Sequence, residues 1–322
     1  LSELGRLAPT TSSDVLPETN RGLFREMVRY CAPLLGARAT FLSGQNLGKV
    51  VLARVLDATQ LGYYSFAFQT LERFVELVYT LPNALLPSLT HLVARAERER
   101  LANIFDQAFR IIQTTACILA FGLFAFAREL TLWVGSPLFE PAIPVLQVLA
   151  LVPVARTAQQ PLTMLFQAMR RPGLVLWVAL LKFGAELTCY FVLVPRLGTL
   201  GAGWANLLGA AVSYLGALLL AARLLPEGAR DRSTALLRGV LLLGPMLLAA
   251  EGLVLVLPPA LSLPLRLLLA VPGIMAAFAL GLFTRYDLEK VSSLPLQAPW
   301  LRRLRDQVVL GADRLARAVD FR

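Results

Sequence analysis

Long apolar runs, separated by short segments in which arginine and lysine collect, constrain this chain more than any other feature. Leu197 to Ala222 carries no charge at all, and Leu267 to Thr284 is equally uncharged. A helix of about 20 apolar residues covers the roughly 30 Å of bilayer hydrocarbon. Lipid offers no water to satisfy backbone N–H and C=O groups, so spanning segments pair them internally, here as helices. The chain is 57% hydrophobic and 16% charged, against roughly 45–50% and 25% in soluble domains. No single water-soluble core accommodates that imbalance, and the sequence predicts an all-α polytopic membrane protein.

About eight transmembrane helices are predicted, near 31–53, 62–87, 108–127, 142–168, 174–194, 200–222, 239–257 and 264–284. Six of them fall within 31–222 and two within 239–284, with a loop between (223–238), a linker and interfacial helix in front (1–30) and a tail behind (285–322). Of 31 Lys and Arg residues, 22 fall in alternate connecting segments and four in the others, Arg54, Arg128, Arg196 and Arg266. Basic residues accumulate in cytoplasmic loops, so both termini are expected in the cytoplasm. The net charge of +10 is thus a topology signal and not a nucleic-acid footprint. In the tail, Leu301, Leu304, Val308, Leu315 and Val319 recur at helical spacing, with Arg302, Arg303, Arg305, Arg314 and Arg317 towards the other side. That is the pattern of an amphipathic helix lying on anionic lipid. The first residue is Leu1 and the opening stretch is polar, without a signal-peptide pattern, so the chain is expected to start within a longer protein.

Charged and amide residues within the spans are the candidate functional groups. On the first predicted span, Arg38, Gln45 and Lys49 share an arc of about 40°. On the second, Gln69, Glu72, Arg73 and Glu76 lie on one stripe with Thr80 and Asn83, and on the fourth Arg156, Gln159, Gln160, Thr163 and Gln167 do the same. The fifth carries Lys182 and Glu186 one turn apart. A charge at the bilayer centre costs roughly 2.5 to 3.5 kcal/mol, so these groups line a hydrated cavity or neutralise one another. Local neutralisation is open to Arg73 with Glu76 or Gln69, and to Lys182 with Glu186. Arg38, Lys49 and Arg156 have no acid one turn away, which points to a mildly cationic cavity suited to an anionic group. Glu251, on the seventh span, is expected to pack or line a groove, or to contact a ligand.

Other patterns carry less. Cys31, Cys117 and Cys189 lie in or beside apolar stretches without C-x-x-C spacing. His91 stands alone, so no histidine-based metal site or catalytic triad is expected, and no Walker loop is present for ATP. No cofactor is expected and no catalytic constellation stands out, so the chain does not read as an enzyme. Gly198, Gly201 and Gly203 superficially suggest a phosphate loop, but Asn206 replaces the third glycine and no strand precedes, so close helix packing explains them.

Three segments carry a family resemblance: LGYYSFAFQTLERFVELVYTLPNALLPSLTHL (61–92), PAIPVLQVLALVPVARTAQQPLTMLFQAMRRPG (141–173) and VPRLGTLGAGWANLLGAAVSY (194–214). In order and spacing they resemble the multidrug, oligosaccharidyl-lipid and polysaccharide (MOP) exporter superfamily, in its polysaccharide and O-antigen flippase branch. The resemblance implies a MATE-like fold of two six-helix lobes, often with an extra helix pair. Residues 31–284 would supply the C-terminal lobe and that pair, with the N-terminal lobe missing or provided by a partner chain. It further implies translocation of a polyprenyl-diphosphate-linked oligosaccharide across the bacterial inner membrane, for O-antigen or other lipopolysaccharide synthesis. Membrane lipid, a polysaccharide polymerase and glycosyltransferases would be its surroundings. Alternatives are a cation-coupled multidrug antiporter of the same superfamily, with Glu72 and Glu76 dominant, and a scaffold of a membrane glycan-assembly complex.

Overall fold

The computed structural model describes residues 17–225 except 84 and 96, together with 239, 241, 243–253, 265 and 266. The predicted 223–238 loop, most of the additional pair and the basic tail therefore lie outside the described residues. Helices α1 (Pro17–Val55), α2 (Ala58–Asn83), α3 (Leu85–Ala94), α4 (Arg98–Ala125) and α5 (Ala127–Gly135) lead to a 3-10 turn at Pro137–Ala142. Then follow α6 (Ile143–Leu149), α7 (Val152–Ala168), α8 (Pro172–Leu197) and α9 (Thr199–Leu224).

Among the described residues, helices α4, α8 and α9 are long and apolar enough to cross a membrane, and Pro137–Leu149 with Val152–Ala168, bent by 41° between them, is together of the same length and apolar character. The bend follows from Pro153, which has no N–H for the Leu149 carbonyl and whose ring crowds it. Helix α1 runs unbroken from Pro17, across the predicted start of the first span near residue 31, and tolerates Pro33 in its interior. Its 39 residues rise about 58 Å, and the 26 of α2 about 39 Å. Both suffice in length for a span, but their polar stripes dilute the apolar composition. The protein is an all-α, multi-pass membrane protein.

Helix α7 occupies the centre, against α2, α3, α4, α8 and α9, with Ala158, Leu162, Leu165 and Phe166 fully buried. Two close approaches frame it. In the α8–α9 hairpin the connecting Gly198 has φ +59°, a backbone region that favours glycine. A Cβ at Gly201 would fall 2.3 Å from the Leu193 carbonyl oxygen, and one at Gly209 would fall 2.8 Å from Glu186 Cβ. The glycines are packing residues, as their sequence context indicates. In the second approach α1 lies on α8, where a Cβ at Gly44 would stand 3.3 Å from Phe183 and one at Gly48 3.1 Å from Tyr190. This Gly-x-x-x-Gly spacing brings two backbones close without any hydrophobic drive between helices in lipid.

Replacing Gly201 by alanine should force α8 and α9 apart and cost about 2 kcal/mol of stability. A lowered thermal midpoint in detergent would register it. Gly62→Ala, where a Cβ meets nothing within 4 Å, should leave the midpoint unchanged or raise it slightly.

Candidate functional site

The bend before α7 places Arg156 one turn beyond the break, and its side chain is buried, at 8% exposure. Its guanidinium forks onto both carboxylate oxygens of Glu72 on α2, with Nη2 to Oε2 at 3.1 Å. Bidentate pairing of this kind is strong and directional. The same guanidinium stands 5.4 Å from the centre of the Phe41 ring on α1, with Arg38 at 5.7 Å and Lys182 Nζ at 5.2 Å. Three cations thus gather at one aromatic ring, each drawn by the ring quadrupole and repelled by the others.

Lys182 meets Glu186 at 3.3 Å, one turn along α8. Glu186 is 5% exposed and also accepts hydrogen bonds from Asn206 Nδ2 on α9 at 3.1 Å and the Tyr190 hydroxyl at 3.2 Å. Tyr190 in turn shares a 3.2 Å hydrogen bond with Tyr64 on α2. A buried carboxylate with three donors is compensated, as burial of a charge demands. One polar network therefore ties α2, α8 and α9 together.

Between α1, α7 and α8 lies a cavity of about 100 Å³, lined by Thr40, Phe41, Gly44, Arg156, Gln159, Gln160, Thr163, Lys182, Phe183 and Glu186. The Ser213 hydroxyl donates to Gln159 Oε1 at 2.8 Å, which leaves the Gln159 amide nitrogen as a donor. Beside it, a void of about 10 Å³, the size of one water, is bordered by Lys49, Tyr64, Arg156, Lys182, Glu186 and Asn206.

The structure brings together Glu72, Arg156, Gln160, Lys182 and Glu186. Arg38 stands at the rim, and Lys49 reaches the smaller void with its side chain otherwise exposed. Arg73 and Glu76 are 82% and 61% exposed and meet each other at 3.4 Å, away from the cavity. Gln69 is likewise exposed on α2, and Gln167 is half-buried near the end of α7. The side chain of Gln45 lies outside the described residues. Lys182 and Glu186 both pair locally and line the cavity, so the two sequence readings of them are compatible. Phe41, Tyr64, Tyr190 and Asn206 were not singled out for the site. The aromatics look like core residues in sequence, and Asn206 sits in a glycine-rich packing segment.

A second polar cluster forms where residues 243–253 and 265–266 meet α4, α5 and α6. Arg266 was expected in an outside loop, yet it is 2% exposed. Its guanidinium donates to the Ala125 carbonyl oxygen and to both oxygens of Glu129. Ala125 ends α4, where carbonyls lose their helical partners, so the arginine caps a helix end while pairing a carboxylate. Nearby, Gln147 Nε2 donates to Glu251 Oε2 at 3.0 Å, beside a cavity of about 160 Å³ that Arg128 and Glu140 also line. Among the described residues no group of three His, Cys, Asp or Glu is placed to hold a metal ion.

Comparison with known proteins agrees with this architecture. Residues 7–144 match a family described as polysaccharide biosynthesis protein. The structure is similar to the outward-facing conformation of a multidrug resistance MATE family transporter of the MOP superfamily. The TM-score is 0.57 and the identity 14%, over 91% of this chain and 77% of that one. No curated protein matches the chain. The fold is similar to that of this transporter, and the match over residues 7–144 supports the family resemblance read from the sequence.

Arg266→Ala would leave the Glu129 carboxylate without its cation and should cost about 3 kcal/mol. The double replacement Arg266→Met with Glu129→Leu should recover only part of that loss, because the Ala125 carbonyl stays without its donor. Thermal midpoints in lipid nanodiscs would compare the two.

Proposed function

We propose that this multi-pass protein, MOP-like in fold and related to polysaccharide biosynthesis in sequence, is an exporter and not an enzyme. Its substrate is a polyprenyl-diphosphate-linked oligosaccharide, moved from the cytoplasmic to the outer leaflet of a bacterial inner membrane by alternating access. In this reading residues 31–222 act as one lobe, with the 239–284 pair attached and the 1–30 linker, 223–238 loop and 285–322 tail on the cytoplasmic side. The lobe rocks against an N-terminal lobe or partner chain, and a polymerase and glycosyltransferases work beside it.

The observation that carries the reading is the grouping of Arg38, Arg156 and Lys182 within 6 Å of one ring at the cavity. Among the described residues no carboxylate lies within ion-pair distance of Arg38 or Lys49. Four cations therefore stand against the two carboxylates of Glu72 and Glu186, and the surplus favours an anion. Arginine presents a planar fork to phosphate oxygens, and lysine a mobile point charge. Gln159, Gln160, Thr40 and Thr163 add hydrogen-bonding groups for sugar hydroxyls or remaining phosphate oxygens. At about 100 Å³ the cavity is smaller than a drug-sized pocket of roughly 300 Å³ or more. It suits a phosphate-sized portion of the substrate, with glycan and lipid on the open side by Arg38. A drug-cation antiporter needs a carboxylate open to its substrate, whereas both carboxylates here are engaged by Arg156 and Lys182.

Arg156→Ala and Lys182→Ala should each lower glycan export at least about tenfold at equal membrane levels of protein. Accumulated lipid-linked oligosaccharide in cells relying on the variant is the readout. Unimpaired export by both variants would remove the assignment.

A further inference from the structure

The cavity's cations are already occupied, so an incoming anion has to compete for them, and the two carboxylates are not equally able to leave. Glu186 is held by Lys182, Asn206 and Tyr190 at once and is 5% exposed. Among the described residues the hydrogen bonds of Glu72 all go to Arg156, and its side chain is 23% exposed at the edge of α2. Ejecting Glu186 would strand two buried donors and a lysine, whereas ejecting Glu72 vacates one guanidinium edge. A diphosphate carries more charge and more acceptor oxygens than a carboxylate, and it forms the same forked pair with arginine.

From this asymmetry we infer that Glu72 is a displaceable counter-ion: the substrate's diphosphate takes its place on Arg156, and its return to Arg156 expels the diphosphate. The inference rests on the anionic-substrate reading above and assigns Glu72 a role that reading leaves open. Glu72 leaves towards the stripe it shares with exposed Gln69 and Glu76 on α2, a face too polar for lipid. Glu186 stays in place and keeps Lys182 oriented towards the ring of Phe41. The exchange also undoes the charged tie between α2 and α7, so occupancy of the site and the α2–α7 contact are alternatives. In the empty state the Glu72 carboxylate keeps Arg156 neutralised, which spares the chain a bare buried cation.

The test uses the full chain in lipid nanodiscs with farnesyl diphosphate as probe, binding being followed by calorimetry. Glu72→Gln should bind about tenfold more tightly than the unaltered protein, and Glu72→Asp, which keeps the charge but shortens the reach, should fall between. Glu76→Gln, which removes an exposed carboxylate one turn away, should change binding less than twofold. In cells, Glu72→Gln should export more slowly despite tighter binding, because the competitor that expels the diphosphate is gone. A carboxylate needed only for folding would not tighten binding when removed. If Arg156→Ala abolishes binding while Glu72→Gln and Glu72→Asp bind no more tightly than the unaltered protein, the exchange is overturned and the anionic-substrate reading survives. If the unaltered protein does not bind the probe, or Arg156→Ala leaves binding intact, both fall together.

Discussion

The pairing of Arg156 with Glu72 is the interaction on which the site's arrangement depends. A guanidinium at 8% exposure inside a bundle of membrane helices survives only with a counter-charge, since an isolated buried ion costs several kcal/mol. That requirement draws α2 towards α7 and sets which of its stripe residues turns inward. Glu72 is the one that reaches the guanidinium, while Arg73 and Glu76, on the same helix, settle their charges against each other at the surface. The inward turn of one stripe residue and the outward turn of its neighbours are thus a single electrostatic solution.

Backbone geometry makes the pairing reachable. Pro153 breaks the fourth span and bends it by 41°, so Arg156 emerges from a new helix direction and not from the side of a straight rod. Glycine at positions 44, 48, 201 and 209 lets α1 and α9 approach α8 closely enough that Phe41, Lys182, Glu186 and Asn206 line two adjoining cavities. Neither device is electrostatic, yet without them the charges would lie on separate helices with lipid or water between. Small side chains and a missing N–H set the distances at which the large polar groups act.

The helical, membrane-spanning class was legible because uncharged runs of this length have few folded alternatives, and the stripes on α1, α2, α7 and α8 were legible from their angular spacing. The inward-facing members of those stripes were harder to read. Angular position on an isolated helix does not say which part of an arc meets a neighbour, so Glu72 and Glu76 looked equivalent in sequence and separate in the structure. Phe41 was invisible for a different reason: an aromatic among many apolar residues declares nothing until cations gather around it. Arg266 was misplaced because loop arginines usually stay in water, and sequence did not show that the end of α4 offers it a bare carbonyl and Glu129.

Arg156 and Arg266 share a physical logic that also separates them. Each stands beside a helix break, Arg156 after the α6–α7 bend and Arg266 at the α4–α5 junction, and each forks onto a carboxylate from another segment. Arg266, however, also holds the carbonyl at the end of α4, a group fixed by the helix itself that cannot swing away. Substituting an anion for Glu129 would leave that carbonyl bond in place and gain no new freedom, so the junction behaves as a rivet. Glu72 is carried on a long side chain at an open helix edge, next to a cavity of about 100 Å³ with further cations around it. Two similar ion pairs therefore divide the labour between holding Arg266 to the α4–α5 junction and leaving a charge that substrate can exchange. The difference comes from a backbone carbonyl at one and a cavity at the other.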